Sequence, residues 1–359
     1  MNFELSEEQR LLQETVSGFL AAEASPAHVR AFYDGDEAVD APLWKGLCEL
    51  GLPGLMVPEA YGGAGLQLLD LACVAEVLGR HATPGPLLGH TLATLAIACG
   101  GSDAQRSRWL PRLASGEVLA TVAFADAGGW QPGQWTLEAP QEGRLYGRKR
   151  HVPCGRAADL VVAGLAPQRL ALLEVRSGGV EATPEEGIDR TRRLDALDFD
   201  GARFEWLSAA PDVAERVRDA GLVLLAADAA GGACRCVEVS VAYAGEREQF
   251  GTTIAHFQAL KHQLADLALD AEPCVPLYWY AAHAFDAGIS DAPLAAAIAK
   301  SHNADRFLRV ARGAVEAHGG IAYTWECEVH WWLKRAVFDR AFLGTPRDHR
   351  ERAARLQGW

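Results

Sequence analysis

The feature that most limits what this chain can fold into is a change of pattern near residue 118. From there to about residue 207 the apolar runs are short, at 119–124, 159–163 and 170–175, and Gly, Pro and Asp cut them at close intervals. The gaps are too short for the crossover helices that parallel strands need, so the pattern predicts an antiparallel, barrel-like β domain. On both sides the period is helical. Ser6 followed by Gln9 reads as a capping box, and Leu11, Leu12, Val16, Phe19 and Leu20 recur behind it at helical spacing. Helical patterns run to about 117, broken at Gly51–Gly54 and by the glycine-dense stretch 57–66. They return after about 211 with interruptions at Phe250-Gly251, near Pro273, at 290–293 and at Gly319-Gly320, which fits four helices and a short terminal one. The expected fold class is α+β, mainly α: an N-terminal helical domain over 1–117, a central antiparallel β-barrel-like domain over 118–210 and a C-terminal four-helix bundle over 211–359. The alanine-rich stretch 226–233 predicts close helix packing.

Composition removes several functional classes. With 34 Lys+Arg against 47 Asp+Glu, the net charge of −13 repels phosphate backbones and anionic lipid, so neither nucleic acid nor a membrane surface is an expected partner. No run approaches the roughly 18 consecutive apolar residues of a bilayer span. The first ten residues are acidic where a signal peptide is basic, which predicts a cytoplasmic protein. The eight cysteines are scattered without a CxxC pair, so neither a metal site nor a disulfide framework is expected. There is no Walker loop, nucleophile elbow or HExxH, and these motifs alone name no reaction.

Four strings carry more. They are 51–66 (GLPGLMVPEAYGGAGL) with 75–80 (AEVLGR); Arg247-Glu248-Gln249-Phe250-Gly251 with Phe257-Gln258 and Leu264-Ala265-Asp266; 316–326 (EAHGGIAYTWE); and Ala341-Phe342-Leu343-Gly344-Thr345. In order and separation they resemble the acyl-CoA dehydrogenase family across nearly the whole chain. The resemblance implies a helical domain, a β-barrel-like domain and a four-helix bundle assembled as a dimer of dimers, with FAD as cofactor, an acyl-CoA substrate and an electron-transfer flavoprotein as acceptor. It also implies that Arg247, Phe250, Gly251, Phe257, Gln258, Glu316, His318, Gly319, Gly320 and Thr345 bind the cofactor, largely its ADP half in a neighbouring subunit. Physically, Arg247 offers a charged fork to a diphosphate, the two Phe rings offer flat apolar surface, and Gly319-Gly320 lets backbone N–H groups approach a phosphate at the start of the following helix.

The family removes the substrate α-proton with a carboxylate while hydride leaves for the flavin. One base position of the family falls on Leu343, and the other, on the first bundle helix, falls on Gly221, so no catalytic residue is expected. The Thr-Glu-Pro loop of the flavin cradle falls on Ala125-Asp126-Ala127. In the Gly-x-Lys-x-Trp-Ile-Thr segment, Trp becomes His151 and Thr becomes Pro153, which has neither hydroxyl nor N–H. The Gln before Gly-Gly becomes Glu316. Losses fall on groups a subunit supplies to its own site, and the retained groups are those lent to a neighbour. The chain therefore looks like the non-catalytic half of a heteromeric enzyme, a heterotetramer sharing FAD at a subunit interface with a second acyl-CoA dehydrogenase-like chain, as in steroid or other lipid side-chain degradation. Two alternatives stay open: a self-sufficient enzyme with Asp219 or Asp348 as relocated base, and a non-enzymatic scaffold. Val329, His330, Trp331 and Trp332 read equally as inter-subunit packing or as core.

Overall fold

The computed structural model describes residues 4–139, 143–207 and 212–359; the expected boundary at 210/211 lies outside them. Contacts sort the chain into two units, one of Val29–Leu71 and Pro84–Gly221 and the other of Met1–His28, Ala72–Thr83 and Leu222–Trp359. In chain order the elements are α1 (Glu7–Glu23), α2 (Pro26–Asp34), α3 (Ala41–Glu49), α4 (Leu68–Arg80), α5 (Leu87–Gly100) and α6 (Asp103–Ala114). Strands follow: β1 (Ala120–Ala123), β2 (Arg144–Pro153), β3 (Leu160–Leu165), β4 (Arg169–Glu174), β5 (Val180–Glu185), β6 (Leu194–Arg203) and β7 (Glu205–Trp206). The last third holds α7 (Val213–Glu246), the hairpin β8 (Glu248–Gln249) and β9 (Thr252–Thr253), then α8 (Gln258–Ala271), α9 (Cys274–Asp286), α10 (Ala292–His318), α11 (Val329–Ala341) and α12 (Pro346–Leu356).

In the first unit β1-β3-β4-β7 form one sheet and β2-β6-β5 another. Val161, Ala163, Ala171 and Leu173 of the first share a dry core with Leu145, Val152, Leu197 and Phe199 of the second. β1, β3 and β4 fall on the three short apolar runs, whereas β2, β5, β6 and β7 lie outside them, and among the described residues the sheets stay open, with no closed barrel. One pairing also departs from the antiparallel expectation: β1 and β3 run parallel, from Ala120 opposite Leu160 to Ala123 opposite Ala163. The chain between them passes through β2 in the other sheet, so a strand makes the crossover that α/β proteins assign to a helix.

Helix α5 is buried along most of its length, and His90 ties it to its neighbours. The Ala120 N–H donates to His90 Nδ1 at 3.2 Å, so Nε2 carries the hydrogen and donates to the Leu113 carbonyl at 3.1 Å. Burial pushes this imidazole down to about 4 against an opposing pull from the Leu113 carbonyl.

In the second unit α10 is the central helix and packs against α8, α9, α11 and α12. The Ser6–Gln9 capping box starts α1 as expected, with Val16 and Leu20 buried and Leu11 turned to solvent. The second half of α4 joins this unit by close backbone contact with α7. A Cβ on Gly79 would sit 2.0 Å from the Asp228 carbonyl oxygen, and one on Gly231 would sit 1.9 Å from that of Glu76. The close packing predicted for 226–233 is therefore real, and only glycine permits it at these two crossings. Arg335, fully buried, donates to both carboxylate oxygens of Asp228 at 3.1 and 3.2 Å and to the Thr83 carbonyl at 2.9 Å. Trp332 Nε1 donates to the Gly79 carbonyl at 3.0 Å. Val329, Trp331 and Trp332 are all buried, which settles their role as core. Helix α7 is long and apolar enough to cross a membrane by length and composition, although no unbroken apolar run marks it, and most of that stretch is buried.

The C-terminal region holds six helices where the sequence suggested four and a short one. The extra break comes at Leu343-Gly344, both at positive φ (59° and 104°), with Pro346 starting α12.

Two outcomes are expected. Arg335→Met takes the guanidinium away from the buried Asp228 carboxylate and should cost about 3–5 kcal/mol in urea unfolding, with part recovered by adding Asp228→Leu. His90 is neutral in the folded chain well below the ordinary pKa of 6.5. Its contribution is complete above that value and lost as pH falls through about 4, so stability should drop over this window at up to ~1.4 kcal/mol per pH unit. His90→Gln should remove that component of the slope.

Candidate functional site

The residues expected to meet a diphosphate sit in the second unit, at the ends of two long helices. At the end of α7 the Arg247 N–H donates to the Tyr243 carbonyl at 2.9 Å, and the chain then turns through the β8–β9 hairpin. Phe250 and Gly251 form its tip with φ of 54° and 79°, the pair of positive values a two-residue type I′ turn needs. A phenylalanine there is strained, and its ring is 93% exposed. The Phe257 ring stands edge-on to it at 6.0 Å. Arg247 is exposed, and no hydrogen bond or ion pair of its guanidinium is found among the described residues. Gln258 opens α8 and lies 2.8 Å from His262 Nε2.

At the end of α10, Gly319 has φ 66° and ψ −142°, a conformation open to glycine, and a Cβ on Gly319 or Gly320 would meet nothing within 4 Å. Two details correct the sequence expectation. Gly319 spends its N–H on the Glu316 and Val315 carbonyls, so this amide is not available to a ligand. The element that follows is a five-residue 3₁₀ turn, Gly319–Tyr323, rather than a helix with a dipole to offer. Glu316 is exposed and leans on Gln263 Nε2 at 3.5 Å. It borders an open groove of about 730 Å³ along α8 and α10 that Arg309, Arg312 and Asp266 also line. His318 is buried, its Nδ1 2.8 Å from the Ala314 carbonyl. Thr345 stands apart in role: its hydroxyl accepts from Asp348 N–H as the N-cap of α12 and donates to the Asp348 carboxylate.

The two family base positions hold buried, non-acidic residues, Leu343 and Gly221. The carboxylates weighed as substitutes are both engaged. Asp219 is buried against Arg218 at 3.0 Å. Asp348 closes the Thr345 cap; burial works to raise its pKa, and the Thr345 N–H and hydroxyl overcome this and hold it low.

In the first unit, the loop expected to cradle a flavin is filled by its own side chain. Asp126 turns inward to Lys149 Nζ at 2.7 Å and accepts the N–H groups of Gly128, Thr136 and Leu137 at 2.9–3.1 Å. Lys149 is fully buried and also donates to the Phe124 carbonyl. His151 lies at a bulge of β2 with φ 54°, stacked on Trp130 at 5.8 Å. Glu185 fixes it by accepting from its backbone N–H at 2.7 Å and approaching Nδ1 at 3.0 Å. Burial would raise the Glu185 pKa, but Arg150 and the His151 N–H hold it low. Sequence reasoning missed Trp130 and Glu185, since a one-residue bulge and a cross-strand carboxylate leave no local motif.

The two places fit a dinucleotide flavin differently. The Arg247 guanidinium, with no partner found among the described residues, the exposed Phe250 ring and the uncrowded Gly319-Gly320 turn suit the diphosphate and its ribose. Asp126, His151 and Pro153 offer the ring no hydroxyl, and the Asp126 carboxylate, the His151 Nδ1 and the Pro153 carbonyl are already engaged within the chain.

Comparison with known proteins finds likenesses over nearly the whole chain. Residues 6–117 match the acyl-CoA dehydrogenase N-terminal domain and 213–356 the corresponding C-terminal domain. The chain is 36% identical over 344 residues to the acyl-CoA dehydrogenase IpdE2 of Mycobacterium tuberculosis, covering 95% of each. It superposes with a TM-score of 0.91 and 31% identity on a Tcur3481-Tcur3483 steroid ACAD variant, covering 98% of each chain. The ChsE4-ChsE5 complex of Mycobacterium tuberculosis gives a TM-score of 0.91 at 26% identity, over 100% of this chain and 99% of that one.

Removing the inward carboxylate should open the loop. Asp126→Ala strands the Lys149 ammonium and is expected to cost about 3–5 kcal/mol in thermal unfolding while making the 125–137 segment the first site of limited proteolysis.

Proposed function

The chain belongs to the acyl-CoA dehydrogenase family, FAD-dependent oxidoreductases of acyl-CoA thioesters, and from that premise we propose that it is the non-catalytic subunit of a heteromeric enzyme. It lends Arg247, Phe250, Gly251, Phe257, Gln258 and the Gly319-Gly320 turn to FAD whose ring and catalytic base belong to a second acyl-CoA dehydrogenase-like chain. The observation that carries this reading is the contrast between its two halves: Leu343 and Gly221 stand buried at the base positions, while Arg247 faces outward with no partner found among the described residues. FAD, when bound, supplies the hydride acceptor. This chain's part is to bind and to exclude water. The Arg247 fork carries charge to the diphosphate, Phe250 covers apolar surface, and the Gly320 amide donates to a phosphate oxygen. Thr345 serves the α12 cap.

The relatives named as a steroid ACAD and as a two-chain complex support a partner chain and a steroid-derived or similarly bulky acyl-CoA; to these we add a heterotetramer in the cytoplasm with an electron-transfer flavoprotein as acceptor. A self-sufficient enzyme would need a free carboxylate, and Asp219 and Asp348 are both held in pairs or caps.

The test is flavin absorbance of the purified chain, alone and co-expressed with a dehydrogenase-like partner. Alone it should be colourless, and the complex should carry about one FAD per two chains, with Arg247→Ala lowering retention about tenfold or more. Asp219→Asn and Asp348→Asn should leave turnover of the complex within about threefold of the parent. Stoichiometric FAD on the isolated chain would overturn the proposal.

A further inference from the structure

Arg247 and the Gly319-Gly320 turn come from the ends of different helices, so a diphosphate can use both only if something fixes their spacing. Tyr243 and His318 stand where that link is needed. Tyr243 lies one turn before Arg247 on α7 and accepts its backbone N–H at 2.9 Å; His318 is the last residue of α10, directly before Gly319. Their rings stack with centroids 4.5 Å apart and planes 22° from parallel, near the close limit for aromatic pairs. The His318 ring is itself locked. Nδ1–H donates to the Ala314 carbonyl one turn back at 2.8 Å, fixing both rotamer and tautomer. Burial disfavours its charged form against the pull of that carbonyl, so the ring meets Tyr243 as a neutral plate and adds no cation of its own. Gly319 and Gly320 have no side chains to anchor them; His318 is the last residue in helical conformation before the chain turns away at Gly319, so its ring is the nearest side chain that can hold the turn.

We propose that the Tyr243–His318 stack is a positioning pair that holds Arg247 and the Gly319-Gly320 turn at a fixed spacing, so that this chain alone presents a preformed edge for a nucleoside diphosphate. The inference rests on the lending role proposed above and adds Tyr243, which acts through Arg247 rather than by touching the cofactor.

The experiment titrates ADP onto the full-length chain by saturation-transfer NMR, with thermal midpoints recorded for every variant. The parent chain binds ADP, and Tyr243→Phe, which keeps the stacked ring, stays within about threefold. Tyr243→Leu weakens ADP about tenfold at an unchanged midpoint, and Tyr243→Leu with Arg247→Ala is no weaker than Arg247→Ala alone, the non-additivity of a residue acting through its neighbour. His318→Gln, which keeps an amide donor but loses the stacked ring, follows Tyr243→Leu. Parent-like binding by Tyr243→Leu, or strictly additive losses, overturns the positioning role. A chain that does not bind ADP while its complex retains FAD overturns the preformed edge and leaves the lending role standing; a complex in which Arg247→Ala retains FAD fully overturns the lending role itself.

Discussion

The bundle unit depends on the buried pair of Asp228 and Arg335. Two charges taken out of water are costly unless nearly every donor and acceptor is met, and here the guanidinium meets both carboxylate oxygens and the Thr83 carbonyl. That geometry fixes the second half of α4, the middle of α7 and α11 relative to one another within the unit. The same three segments meet where Gly79 and Gly231 let backbones touch, and where Trp332 donates to Gly79. Each contact tolerates little displacement of the others. The end of α7 that carries Tyr243 and Arg247 is the far end of a helix pinned at its middle.

Polar groups are spent in opposite ways in the two units. Asp126, Lys149, His151 and Glu185 turn their charges and hydrogen bonds on each other, which stabilises a loop and a bulge and leaves little for a ligand. Around the β8–β9 hairpin the reverse holds: Phe250 is strained and bare, Arg247 faces outward, and Gly319 adopts a conformation few residues reach. Unspent interactions are a local cost to folding, and they are rational only where something else completes them.

Much of this was legible in the sequence because it is written in short-range terms. The Ser6–Gln9 box, the β-type runs after 118, the Phe250-Gly251 turn and the glycines at 319–320 all encode local geometry, and the family strings carry the rest of the fold. What stayed illegible depends on partners far apart in sequence. The parallel β1–β3 pair required knowing that β2 joins another sheet. Trp331 and Trp332 could not be assigned to core until Gly79 was seen beside Trp332. Leucine at position 343 was visible, but the engagement of Asp219 and Asp348 was not, and neither was the stack that brings Tyr243 to His318.

The bonds from Arg335 to Thr83 and from Trp332 to Gly79 span 252 and 253 residues. On a ribosome adding about 5–20 residues per second, Gly79 and Thr83 emerge roughly 13–50 seconds before the side chains that bond them. Loop closure of that length is entropically slow to be rewarded, so these two bonds are among the last the bundle can complete. The order of the segments thus sets when this part of the bundle can close, independent of how stable the finished bundle is.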